Sequence, residues 1–257
     1  MSLSGKTAII TGSTSGIGLG IARSLASQGA NIILNSFTKF ESDQTLAENL
    51  SKEFSVKVSY ACADMRKSQE CRDLITSQTA CDILVNNAGI QYVSPIEDFP
   101  ASKWDDIIAV NLSSSFHTTA AALTMMRASG WGRVINISSA HGLTASPFKS
   151  AYIAAKHGLI GLTKTVALET AEEKITANAI CPGYVLTPLV EQQIPDTMAK
   201  YNMSRAEVVR EVMLARQPSR EFASPEQIGE TCAFLCSAAA SQITGTSISI
   251  DGGWTAL

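Results

Sequence analysis

The sequence predicts an α/β protein built on one doubly wound parallel sheet with helices on both faces. Three observations predict it. Apolar, β-branched runs alternate with longer segments of helical period as far as the run 247–250. The first such run, 7–11, leads at once into a cluster of glycines and then a helix-like stretch. No linker, internal repeat or low-complexity tract breaks the alternation, so residues 1–257 are expected to form a single domain.

Taken in order, the run 7–11 reads Thr-Ala-Ile-Ile-Thr, and Gly12, Gly16 and Gly18 follow before a helix expected over 17–28. The spacing Gly-x-x-x-Gly-x-Gly differs from the commoner Gly-x-Gly-x-x-Gly, yet the same physics applies. Glycines let the backbone turn sharply and approach a pyrophosphate at the positive N-terminus of the helix that Ile17 begins. Thr14 and Ser15 add hydroxyl donors. Strand, glycine turn and helix in this order predict the first unit of a dinucleotide-binding Rossmann fold.

The second strand, expected over 31–35, ends where a ribose would lie. An acidic residue there marks NAD and a basic one NADP. The chain has Asn35, Ser36 and Phe37, with no basic residue at position 14 and Lys39 as the nearest cation, so NAD is expected. Val56, Val58 and Tyr60 alternate toward Asp64, expected to meet an adenine amino group at a strand end. A buried-type strand over 82–85 runs into Asn86-Asn87-Ala88-Gly89, and Asn87, Ala88 and Gly89 are expected along the ribose.

Further on stand Ser139, Tyr152 and, four residues after the tyrosine, Lys156. Positions i and i+4 share a helix face, so the lysine can hold its ammonium beneath the phenol. Moving a tyrosine from its usual value of about 10 to about 7 takes roughly 4 kcal/mol. A nearby ammonium is expected to supply part of this, making Tyr152 a general acid/base with Ser139 orienting the substrate oxygen.

Together Thr11-Gly12-x-x-x-Gly16-x-Gly18, Asn86-Asn87-Ala88-Gly89, Asn111, Ser139, Tyr152-x-x-x-Lys156 and Pro182-Gly183 resemble the short-chain dehydrogenase/reductase family over essentially the whole chain. The resemblance implies that Asn111 completes a catalytic tetrad by holding a water that connects Lys156 to solvent. It also implies that Pro182, Gly183, Val185 and Thr187 belong to the cofactor site, with Thr187 on the nicotinamide carboxamide.

Gln91, His141, Lys149, the run 186–194 with Gln193, the Gln217-Pro218-Ser219 segment and the terminal Asp251-Gly252-Gly253-Trp254 resemble family members that act on short 3-hydroxy acids. Tyr184 stands where those members carry tryptophan, which keeps an aromatic wall but changes its size. The implied activity is reversible, NAD-dependent oxidation of (R)-3-hydroxybutyrate to acetoacetate. The chemistry agrees, because a carboxylate near the carbinol needs a cation and several donors, which Lys149, His141, Gln91 and Gln193 offer. The rival readings are a 3-oxoacyl-carrier-protein reductase and a non-catalytic nicotinamide-binding protein. The former would want basic residues for a 2′-phosphate and an acidic carrier; the complete tetrad argues against the latter.

In 187–220, prolines at 188, 195 and 218 are expected to bound two helical pieces, with Val208, Val209, Val212 and Met213 forming an apolar face. A short helical lid that brings Gln193 over the substrate is expected. Of 257 residues, 45% are hydrophobic and 17% charged, and 23 acidic residues nearly balance 20 basic ones, so neither nucleic acid nor an acidic membrane is expected as a partner. Stretches 107–126 and 231–250 lack charge but carry polar residues throughout, which argues against a membrane span. With no basic-then-apolar leader pattern, a cytoplasmic enzyme is expected, and the family resemblance implies a homotetramer. The six cysteines, without a Cys-x-x-Cys pair, are expected to be reduced core residues and not metal ligands.

Overall fold

A computed structural model describes residues 2–257, the Leu189 side chain (part of the run 186–194) lying outside the description. In chain order the elements are β1 (Thr7–Ile10), α1 (Gly16–Ser27), β2 (Asn31–Ser36), α2 (Glu41–Phe54), β3 (Val58–Cys62), α3 (Ser68–Thr76), β4 (Ile83–Asn86) and α4 (Ala101–Ile108). They continue with α5 (Ser114–Ser129), β5 (Gly132–Ile137), α6 (Ser150–Glu169), β6 (Ile175–Pro182), α7 (Pro188–Tyr201), α8 (Arg205–Glu207), α9 (Pro225–Leu235) and β7 (Ser247–Ile250). Two π-helical turns, Ala109–Ser113 and Val208–Met213, follow α4 and α8.

The strands form one seven-stranded parallel sheet in the order β3-β2-β1-β4-β5-β6-β7. Successive strand residues point to opposite faces. Ala8, Ile10, Ile32, Leu34, Ile83 and Val85 therefore pack on one side with Ile21 and Leu25 of α1 and Ile228 of α9. Ile9, Ile33, Leu84 and Val134 pack on the other with Leu74 and Ile75 of α3 and Met126 of α5. Burial on both faces is why these strands read as continuous apolar runs. The order reverses between β1 and β4, which opens a crevice beyond their carboxyl ends.

A third apolar cluster stands apart from the sheet. Ile194, Val208 and Met213 are buried, with Val190, Met198, Val209 and Phe222 packed against them. Pro195 lies inside α7, not at a boundary as expected. Its ring removes one backbone donor; the packing of Ile194 and Met198 holds the helix across that gap. Cys62 is exposed, against the expected core location, because it ends an edge strand. No described helix is long and apolar enough to cross a membrane.

Candidate active site

The crevice at the strand reversal is a cleft of about 740 Å³ lined by Gly12, Thr14, Ser15, Gly16, Ile17, Gly18, Phe37, Asp64, Asn87, Ala88, Gly89 and Thr187. Two glycine positions show why its floor cannot carry side chains. Gly16 has a left-handed φ of +54° at the start of α1. A Cβ on Gly18 would strike the Gly12 carbonyl and come within 2.5 Å of Asn87 Nδ2. A bare backbone turn feeding a helix N-terminus fits a pyrophosphate.

The turn is braced from the neighbouring strand. Thr11 Oγ1 accepts from the Asn87 and Ala88 N–H groups, each at 3.0 Å. Asn87 Nδ2 returns bonds to the carbonyls of Thr11 (2.9 Å) and Gly12 (2.8 Å). The Asn87 amide thus locks the two ligand loops together, a role beyond the expected ribose contact.

At the adenosine end, Asn35 turns inward, accepting from Gly12 N–H and donating to the Ala61 and Ala63 carbonyls. Thr38 borders the cleft and donates to Asp43 at 2.7 Å, and Asp43 also lines the cleft. Asp64 is held by Arg66 through Nε (3.0 Å) and Nη2 (2.7 Å), which keeps its carboxyl below the usual range. Asp43 and Arg66 went unmarked in the sequence; the only signals were Thr38-x4-Asp43 at a helix start and the short Asp-x-Arg spacing.

Beyond the nicotinamide end, a chain of rings runs Tyr152–His141–Trp254–Tyr184. The His141 ring lies 6.2 Å from Tyr152 and 4.9 Å from Trp254, both edge-on, and Trp254 stacks on Tyr184 at 5.9 Å. Trp254 thus packs against His141 and Tyr184 of its own chain. Asp251 fixes it by accepting from the N–H groups of Gly253 (3.0 Å) and Thr255 (2.9 Å). Gln217, buried beneath this wall, accepts from Tyr184 N–H at 3.0 Å, and Ser219 N–H bonds the Gly252 carbonyl at 3.0 Å. The segments 217–219 and 251–254 are therefore two halves of one support.

Lys156 is buried, donates to the Ile137 carbonyl at 2.7 Å, and holds Nζ 5.6 Å from the Tyr152 ring centroid. Burial lowers its pKa to about 8, so it remains mainly charged at neutral pH. Ser139 Oγ accepts from His141 N–H at 3.1 Å, and its hydroxyl acts on the Tyr152 phenol to lower its pKa. Against the sequence expectation, Tyr152 is shifted upward: burial raises its pKa more than the Ser139 bond lowers it. Burial also pushes His141 down to about 4, with the charges of Lys149 and Arg216 adding to the effect, so the imidazole is neutral. Lys149 is lowered by the same two causes, burial and Arg216.

A family model described as enoyl-(acyl carrier protein) reductase matches residues 12–255. The chain belongs to the short-chain dehydrogenase/reductase family. Within it, the D-beta-hydroxybutyrate dehydrogenase of Rhizobium meliloti is 56% identical over 98% of this chain and 99% of its own length. The protein of that name from Cupriavidus necator is 52% identical over 99% of each. Among solved structures, a putative 2-deoxy-D-gluconate 3-dehydrogenase from Agrobacterium tumefaciens with bound NADP superimposes with a TM-score of 0.87 at 34% identity, covering 100% of this chain and 98% of that one.

Not every residue expected from this short-chain dehydrogenase/reductase pattern comes together. Gln91 and Gln193 are exposed, and neither side chain has a hydrogen-bond partner among the described residues. Gln193 faces solvent because the buried side of α7 is taken by Val190, Ile194 and Met198. After Pro182, Gly183 N–H bonds the Ile250 carbonyl and Val185 bridges Ala223, which ties the segment leading to Thr187 to its neighbours. Asn111 sits in the first π-helical turn, but its side chain brackets Ile90, accepting from its N–H (2.9 Å) and donating to its carbonyl (3.0 Å). Lys156 Nζ and Asn111 Oδ1 flank the same point above Gly89.

Proposed function

We propose that the chain oxidises (R)-3-hydroxybutyrate to acetoacetate reversibly with NAD, with Tyr152 as general base. The observation that carries this reading is the pairing of Lys149, which has no carboxylate partner among the described residues, with neutral His141 and the Tyr152–Ser139 pair. A small anion with its carbinol near the phenol satisfies that arrangement, and Trp254 and Tyr184 offer an apolar wall for a methyl group. The two relatives named D-beta-hydroxybutyrate dehydrogenase, at 52% and 56% identity, support the same substrate.

Ser139 accepts the His141 N–H, which leaves its own proton free for the reacting oxygen. Tyr152 removes the hydroxyl proton, and Lys156 holds positive charge beneath its ring. Bound beside them, the oxidised nicotinamide supplies the hydride acceptor and further positive charge. Because burial raises the phenol in the chain alone, efficient base action belongs to the loaded complex. Asn111 holds the water that links Lys156 to solvent. The cleft floor and Thr187 hold the dinucleotide. NAD is favoured over NADP because the Asp43 carboxylate borders the ribose end and Arg66 is tied to Asp64. The segment 187–220 acts as a lid whose closure carries Gln193 onto the carboxylate, with Gln91 supplied from the loop after β4.

Turnover of (R)-3-hydroxybutyrate with NAD, compared with NADP and with a 3-oxoacyl thioester, tests the reading. Absence of turnover on the free acid refutes it. We further infer a cytoplasmic homotetramer without nucleic-acid or membrane partners; light scattering of the purified enzyme tests the assembly.

A further inference from the structure

Arg216 lies between the second π-helical turn and the buried Gln217, and no motif in the sequence marks it. Its Nη1 donates to the Ala145 carbonyl and to Ser146 Oγ, both at 3.2 Å. Ser146 Oγ in turn lies 2.8 Å from His141 Nε2. A guanidinium only donates, so Ser146 Oγ accepts from it, which couples Arg216 to the atom that partners the imidazole.

The gripped segment, 145–149, runs from the histidine's partner to Lys149. Its far end is held by Ser94 N–H on the Phe148 carbonyl at 3.0 Å. Phe148 takes a left-handed φ of +68°, costly for a bulky residue, so the turn that delivers Lys149 depends on contacts outside itself.

We infer that Arg216 is a positioning residue for the substrate carboxylate: through Ala145 and Ser146 it holds the hydrogen-bond partner of His141 and the loop presenting Lys149, and it adds a second positive charge beside them. Burial lowers the pKa of His141 and Lys149, and the Arg216 charge adds to it. At Tyr184 burial raises the phenol and the same charge opposes it, so Arg216 acts on the same space. Two cations near His141, neither in an ion pair with a carboxylate among the described residues, favour an anion there. The inference rests on the proposed substrate.

The test is steady-state kinetics on the intact enzyme. Arg216→Gln is expected to raise KM for 3-hydroxybutyrate and Ki for butyrate together, about three- to tenfold. KM for NAD and the melting temperature should stay at wild-type values. Ser146→Ala should give a similar rise, the double variant should be no worse than either single one, and Arg216→Lys should recover part of the loss. An unchanged KM, an equal rise in KM for NAD, or single effects that multiply in the double variant would overturn the relay. Wild-type turnover is measured first: its absence removes the substrate assignment and the inference with it, whereas an active wild type with an unaffected Arg216→Gln variant removes only the inference.

Discussion

Replacing Thr11 by valine removes one hydroxyl while nearly keeping the side chain's shape, and among the described residues that hydroxyl is the side-chain acceptor joining the end of β1 to the turn after β4. It receives the Asn87 and Ala88 N–H groups at 3.0 Å each. A backbone donor stranded in a partly buried place costs about 1–3 kcal/mol. With two donors stranded and cleft water reaching part of the site, the expected loss of stability is about 2–4 kcal/mol. The loss should also reach ligand binding, because Asn87 Nδ2 spans the Thr11 and Gly12 carbonyls of the glycine turn. Urea unfolding at fixed protein concentration and calorimetric titration with NAD measure both effects. Thr11→Val should lower the unfolding midpoint and weaken NAD by about tenfold, while Thr11→Ser, which keeps the acceptor, should stay close to wild type. If the valine variant unfolds and binds NAD like wild type, the brace contributes nothing and the reasoning fails.

Tyr152→Phe should still bind NAD by calorimetry but lose turnover by about 10²–10⁴-fold; near-normal activity would assign the base elsewhere. Gly18→Ala should abolish NAD binding, since its Cβ would meet the Gly12 carbonyl and Asn87, and normal affinity would refute the close-approach argument. For His141, with a folded value of about 4 against an ordinary one of about 6.5, the unfolded chain binds the proton first as pH falls between those values. Stability should therefore fall from pH 6.5 toward 4, by about 1–2 kcal/mol after screening by the open cleft. Unfolding midpoints of wild type and His141→Gln across that range check this; identical pH slopes would contradict it.

Strand and helix order was legible because both faces of the central sheet are buried, which writes its inner strands as apolar runs such as 83–85. The glycine turn and the Tyr152–Lys156 pair were legible because both are local: a few residues set a φ angle or a shared helix face. What stayed hidden depends on residues distant in the chain. The Asn87 brace needs a partner at position 11, and the Arg216–Ser146–His141 series joins segments on either side of α6 and β6. The upward shift of Tyr152 was hidden for another reason: helical spacing brings an ammonium near a ring but says nothing of how much solvent both have lost. Gln193 faces outward because α7 spends its inner side on Val190, Ile194 and Met198.

The apolar cluster of Ile194, Val208 and Met213 gives 187–220 a foundation separate from the two layers that weld the helices to the sheet. In the proposed lid, apolar residues that chiefly grip one another would let the segment tilt as one plate and leave the sheet layers undisturbed. On that proposal, substitutions within the plate would reshape the entrance for longer or bulkier acids while the scaffold below keeps its stability.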